Sequence, residues 1–450
     1  MHYRLFFASS LFMLVACQPQ PQPLLESIKQ NKTLVVATRN APTTYYEIHD
    51  QLAGFEYEMA KAFATELGVK VEYKLMDSTS EILAAITERD AHIAAAGLTI
   101  TEQRKQKLLF GPAYQSVQQQ VVCRRGGANP KRVQDLVGLD IGVPVGTSYE
   151  QQLAHEQQRY PNIQWQTFDI ETESLLENVW LNKLGCTVAD SNIVAINRRY
   201  YPELQVRFNL SQSEPLAWAM PLGANRLQDT LTQWFDEFSK SGKLEALIER
   251  YYGHIERFDY VDTRRFVRRI DTLLPKYKPL FMRAAEQHEI NWTLLAAQAY
   301  QESHWRAQAR SPTGVRGLMM LTRVTARELN IKNRLDPEQS ILGGARYLSN
   351  LYERIPESVT GPDRMWFALA AYNVGMGHVR DARVLAKRLG KDPDQWRDLS
   401  EVLPLLSQKK YYKTLRHGYA RGREPVNYVK RIRGYQDILL QRLSKSASAS

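Results

Sequence analysis

The hydrophobic period of this chain changes once, near Tyr251, and that change constrains its fold more than any other feature. Before it, short apolar runs alternate with amphipathic ones. Thr33-Leu-Val-Val-Ala37 has the length and composition of a buried strand. Phe55 to Gly68 repeats at helical spacing and stops at a glycine. Val69 to Tyr73 then reads as a strand and Ser80 to Arg89 as a helix, and Asp140-Ile-Gly-Val-Pro144 and Gly185-Cys-Thr-Val-Ala189 continue the pattern. Such alternation implies an α/β module with largely parallel sheets. From Leu280 to Leu440 the period is helical throughout, with breaks at Ser311-Pro-Thr-Gly314, Ile355-Pro356, Thr360-Gly-Pro362 and Gly390. An all-α module is therefore expected to follow the α/β one.

The 450 residues give room for two to three domains. With 44% apolar and 24% charged residues the composition is that of a globular protein, which excludes wholesale disorder. The net charge of +11 is unevenly divided. Up to Ile255 there are 24 basic and 28 acidic residues; from Glu256 onward there are 35 and 20. The second module is thus suited to a polyanion. The N-terminus argues against nucleic acid as that partner. Met1-His-Tyr-Arg4 precedes an apolar stretch from Leu5 to Ala16, which has the form of a secretory signal and is too short for an ordinary membrane span.

Leu14-Val15-Ala16-Cys17 resembles the bacterial lipobox, which implies that Cys17 carries lipid and that the mature protein lies on a membrane without spanning it. Gln18 after the cysteine implies the inner face of the outer membrane, within the periplasm. Cys123 and Cys186 remain in an oxidising compartment, and whether they pair is open at this level. The nine histidines show no metal-binding spacing, so neither a metal nor a cofactor is expected.

Glu302 stands out in the helical half. It ends the run from Trp292 to Gln301, with Leu295, Gln298 and Ala299 seven, four and three residues before it. A 3.6-residue period puts its carboxylate on the core-facing side. Burial raises a carboxylate's pKa, as a general acid near neutral pH requires. The competing reading is a helix-end glutamate bonded to a neighbouring loop.

Gly97-Leu-Thr-Ile-Thr-Glu-Gln-Arg104, Leu109-Phe-Gly-Pro-Ala-Tyr114, Gly142-Val-Pro-Val-Gly-Thr-Ser148 and Val188-Ala-Asp190 resemble segments of bacterial family 3 solute-binding proteins. The resemblance implies a two-lobed periplasmic-binding-protein fold that clamps a small amino-acid or muropeptide ligand. Arg104 would hold its α-carboxylate, helped by free N–H groups at Gly146-Thr147. Thr99 would supply a hydroxyl, and Asp190 would face the ammonium.

Gln301-Glu-Ser-His-Trp305, Ser311-Pro-Thr-Gly314, Gly317-Leu-Met-Met-Leu321, Ala371-Tyr-Asn-Val-Gly375 and Val426-Asn-Tyr-Val429 follow in order. Together they resemble the goose-type lysozyme-like domain of family 1 lytic transglycosylases. That resemblance implies peptidoglycan as substrate and Glu302 as sole acid and base, forming a 1,6-anhydro sugar. Ser303 would orient the carboxylate or touch substrate, and Tyr372 would bond Glu302. Asn373 would steady the developing positive centre or an N-acetyl group. Tyr428 would line the groove, with Gly317, Met319 and Met320 as its wall. The family usually has glutamine at Met320, so one sugar contact is missing. A wall-anchored receptor with an inactive lysozyme-like domain and a true hydrolase are the alternatives. The expected division is a signal peptide at 1–17, a tether at 18–29, a ligand-binding module at 30–254, a basic linker at 255–269, a catalytic domain at 270–442 and a disordered tail at 443–450.

Overall fold

Thr33–Thr38 pairs in parallel with Lys70–Leu75 on one side and Ile93–Ala94 on the other, and this trio seeds the first lobe. In the computed structural model, residues 23–448 are described except 49–50, 256–259 and 312–313. The signal segment, Cys17 and the prolines before Pro23 lie outside the described residues, as do Pro312 and Thr313 of one motif. The sheet is completed by two antiparallel strands, in the order Lys70–Leu75, Thr33–Thr38, Ile93–Ala94, Ala219–Pro221, Leu108–Phe110. The helix Phe55–Glu66 starts at Gly54, whose φ of 140° and close approach to Thr44 O (2.1 Å from an added Cβ) exclude any side chain.

The second lobe is a sheet in the order Gln166–Phe168, Ile141–Pro144, Cys186–Asp190, Gln119–Arg124, Leu204–Asn209. Its two antiparallel central strands place Cys186 directly opposite Cys123, and the two form a disulfide. The chain passes between lobes through a two-stranded ribbon, Gln115–Val117 against Glu214–Leu216.

The helical half packs around Trp292–Ser303. Residues 293–300 of that helix are all buried, so it is wrapped on every side rather than presenting one apolar stripe. The helices Leu274–His288, Pro337–Glu353 and Arg423–Ser448 pack against it, and Gly361–Val374 packs on the last two of these. Trp366 and Phe367 lie in this core.

Three segments depart from the expected division. Residues 24–31, placed mostly in the tether, form a helix whose Leu25 and Ile28 are buried against the first lobe. Two apolar residues three apart make a stripe only where a partner surface waits for it. The basic linker contains the helix Tyr260–Thr272, and its Phe266 is fully buried in the second core beside Tyr300, Trp305 and Tyr435. The tail is helical as far as Ser448, because a helix already nucleated by packing extends cheaply through Ala, Lys and Ser.

The two halves meet along the C-terminal helix. Arg433, 5% exposed, donates to Glu249 Oε1 (3.2 Å), Glu249 O (2.9 Å) and Arg250 O (2.6 Å), carbonyls at the end of the helix Lys243–Tyr252. A helix C-terminus leaves such carbonyls without partners of its own, and a cation there is favoured. The same guanidinium lies 3.9 Å over the Trp366 ring. One turn on, Asp437 accepts from Arg199 of the second lobe (2.6 Å) and lies 2.6 Å from His254 Nε2.

Candidate active site

Glu302 sits in the last turn of Trp292–Ser303, which is ended by two successive left-handed residues, His304 (φ 53°) and Trp305 (φ 57°). That turn drives Trp305 back into the core, where its indole N–H donates to Ala296 O at 2.8 Å and locks the end of the helix. The carboxylate therefore has a rigid base. Desolvation pushes its pKa up to about 7, opposed by one hydrogen bond.

That bond comes from Tyr428, whose hydroxyl donates to Glu302 Oε1 at 2.5 Å. Tyr372, expected in this role, instead donates to Met319 O at 2.8 Å. Tyr428 is buried and Tyr372 partly so, and both have their pKa raised far above the usual value by desolvation, with Glu302 adding to it, so both remain donors. Gln298, fully buried one turn before Glu302, donates through Nε2 to the Tyr428 hydroxyl at 3.1 Å. With the phenol oxygen already accepting, its own proton is directed to Glu302. In the sequence this glutamine shows only as part of the helix face, and an amide among Leu, Ala and Tyr is the available signal.

Three other expected site residues are spent on structure. Ser303 is buried and donates to Ala299 O at 3.0 Å, so its hydroxyl is turned along its own helix and away from the acid. Gly317 has φ 87°, and an added Cβ would lie 1.8 Å from Arg334 O, so it shapes the loop rather than the groove. Met319 is fully buried and packs on Gly344. Met320 remains partly exposed, with φ 46°. Asn373 is exposed and lines a cavity of about 270 Å³ with Gln301, Glu424, Asn427, Tyr428 and Arg431.

We expect Tyr428→Phe to lower turnover about tenfold, since one charge-assisted bond to the acid is lost. The bond favours the ionised carboxylate, so its loss raises the Glu302 pKa. The alkaline limb of the pH–rate profile, where the acid loses its proton, should move to higher pH. An unmoved limb would show that the bond does not tune the acid.

In the α/β half, the expected ligand residues converge between the lobes. Arg104 donates to Thr99 O (2.9 Å) and to Gly146 O of the opposite lobe (3.3 Å). Ser148 bonds Thr99 Oγ1 at 3.4 Å. Asp190 is buried, its pKa pushed up to about 7 by desolvation, and Arg104 acts on it electrostatically. The helix start at Gly146-Thr147 is less open than expected. The Gly146 N–H is taken by Glu150 Oε2 (3.0 Å), a first-turn carboxylate filling the anion position, and the Thr147 hydroxyl bonds Pro144 O. Arg39, unforeseen, bridges the lobes to Glu171 (2.8 Å) and Glu173 (3.0 Å).

Family models match both halves: bacterial extracellular solute-binding proteins, family 3, over residues 33–254, and the transglycosylase SLT domain over residues 279–395. A membrane-bound lytic murein transglycosylase F of Maricaulis maris is 49% identical over 437 residues, covering 96% of each chain. One from Saccharophagus degradans is 44% identical over 417 residues, covering 92% of this chain and 83% of its own. Among solved structures, an ancestral arginine-binding protein bound to arginine is 26% identical and aligns with 49% of this chain and 98% of its own, at a TM-score of 0.46. The two family models, and the relatives 49% and 44% identical over most of both chains, place this chain in the membrane-bound lytic murein transglycosylase F family.

Proposed function

We propose that this protein cleaves the β-1,4 bond between N-acetylmuramic acid and N-acetylglucosamine in peptidoglycan without water, with Glu302 serving in turn as acid and base. The observation that carries this is a single desolvated carboxylate held by a tyrosine hydroxyl, with no second carboxylate acting on it among the described residues. Glycosidases that hydrolyse use two. Glu424 lines the neighbouring cavity, but it is exposed and pairs with Arg421 at 3.4 Å.

With a pKa near 7, Glu302 holds a proton to give the glycosidic oxygen as the C1–oxygen bond breaks. The resulting carboxylate, supported by the Tyr428 O–H, takes the proton of the muramoyl C6 hydroxyl as that oxygen bonds to C1. One bond breaks, one forms, and the acid is restored. Asn373, at the open side, is placed to meet an N-acetyl group. Mass spectrometry of products from purified sacculi tests the reading: anhydro ends lack the mass of a water that hydrolysis would add. Hydrated ends would overturn it.

The α/β half is read as a sensor for an amino acid or muropeptide, gripped by Arg104, Thr99 and Asp190. Its closure would reach the acid through the C-terminal helix, which carries Tyr428, Arg433 and Asp437 and touches both lobes. Turnover is then expected to change about threefold or more on saturation with ligand, and Arg104→Ala should abolish that response while leaving basal turnover. Equal turnover under all conditions would refute the coupling. The protein is read as periplasmic and membrane-associated, with Cys17 lipidated at the inner face of the outer membrane. No described helix is long and apolar enough to cross a membrane.

A further inference from the structure

The first turns of the C-terminal helix carry a polar stripe. Glu424, Asn427, Tyr428 and Arg431 follow i, i+3, i+4, i+7, so they share one face. All four line the cavity of about 270 Å³ beside the acid. Tyr428, Val429, Ile432 and Tyr435 of the same helix reach the core. Arg431 is exposed and makes no ion pair among the described residues, whereas Glu424 in the same cavity is paired with Arg421. Arg431 therefore presents an uncompensated guanidinium. It lies three residues, about 4.5 Å of helix rise, from the tyrosine that touches Glu302.

In a peptide-bearing strand the sugars are N-acetylated and neutral, because the muramoyl lactyl carboxyl is bound as an amide to the peptide. The strand's carboxylates belong to the peptide arm on the muramoyl residue, the sugar whose C1 reacts. A guanidinium fork matches a carboxylate, and an amide such as that of Asn427 matches a peptide group. The excess of basic residues after Glu256 has the sign such a strand requires.

We infer that Arg431 and Asn427 form a subsite for a carboxylate of the stem peptide, so that the enzyme selects peptide-bearing over peptide-free glycan. This rests on the reading of the site as a lytic transglycosylase. The experiment uses the full-length protein with glycan strands that carry peptides and with the same strands stripped of them by an amidase, the lactyl carboxylates so freed being capped as methylamides. Wild type should show a KM about tenfold lower for the peptide-bearing strands, and Arg431→Ala should raise that KM about tenfold while leaving the stripped strands unaffected. Arg431→Lys should restore part of it. Equal KM values for the two substrates, or an equal effect of Arg431→Ala on both, would overturn the subsite even with anhydro products present. Hydrated products would overturn the reaction instead. Binding of both strand types to the Glu302→Gln protein reads the same preference without turnover, and no preference there also overturns the subsite.

Discussion

Glu302→Gln should abolish 1,6-anhydromuropeptide formation from purified sacculi, a fall of about ten-thousand-fold, because one group supplies both proton transfers. Glutamine keeps the volume and can still accept the Tyr428 hydroxyl, so the groove should persist. The same substitution should make the fold more stable. The pKa of Glu302 rises from 4.5 to about 7 on folding. The native state thus binds the proton more tightly than the unfolded chain, and stability falls as pH rises from the lower value to the higher. A neutral amide avoids that loss. At pH 8 the variant should gain about 3 kcal/mol, and at pH 4 almost nothing. Thermal denaturation at the two pH values checks this. Undiminished anhydro product from the variant would remove Glu302 from the mechanism.

Arg433→Ala should have the second largest effect, separating the two halves. The substitution leaves Glu249 O and Arg250 O without the donor that ends their helix, and strips the Trp366 face. Breaking such a buried charge-assisted contact costs about 3 kcal/mol. Denaturant unfolding of the wild type should show one transition, and the variant two, with the α/β half melting apart from the helical one. Tyr428 lies five residues before Arg433 on the same helix, so turnover should also fall and lose any response to a sensor ligand. A variant that unfolds in one transition at wild-type denaturant would show that this seam does not join the halves.

Sequence and structure agree most where the information is local. The change of period near Tyr251, the strand at Thr33–Thr38 and the acid on the inner face of its helix follow from side-chain spacing alone. Disagreement begins where two elements must meet. Tyr372 and Tyr428 are both phenols near the acid, and only the packing of their helices, Gly361–Val374 and Arg423–Ser448, decides which hydroxyl arrives. Met319 and Met320 are adjacent and chemically identical, yet one is core and the other reaches the surface, because the loop turns at Gly317. The Cys123–Cys186 bond needed the register of two strands 63 residues apart.

By itself the sequence determined the order of modules and pointed to Glu302 as the candidate acid and to the ligand residues expected between the lobes, since each depends on residue type and local period. The tertiary structure alone decided that Tyr428 and Gln298 hold Glu302, that Arg39 bridges the lobes, and that the basic segment near Phe266 belongs to the second core. Those outcomes depend on distances between residues far apart in the chain, and a local period carries no information about which distant surfaces will bury each other.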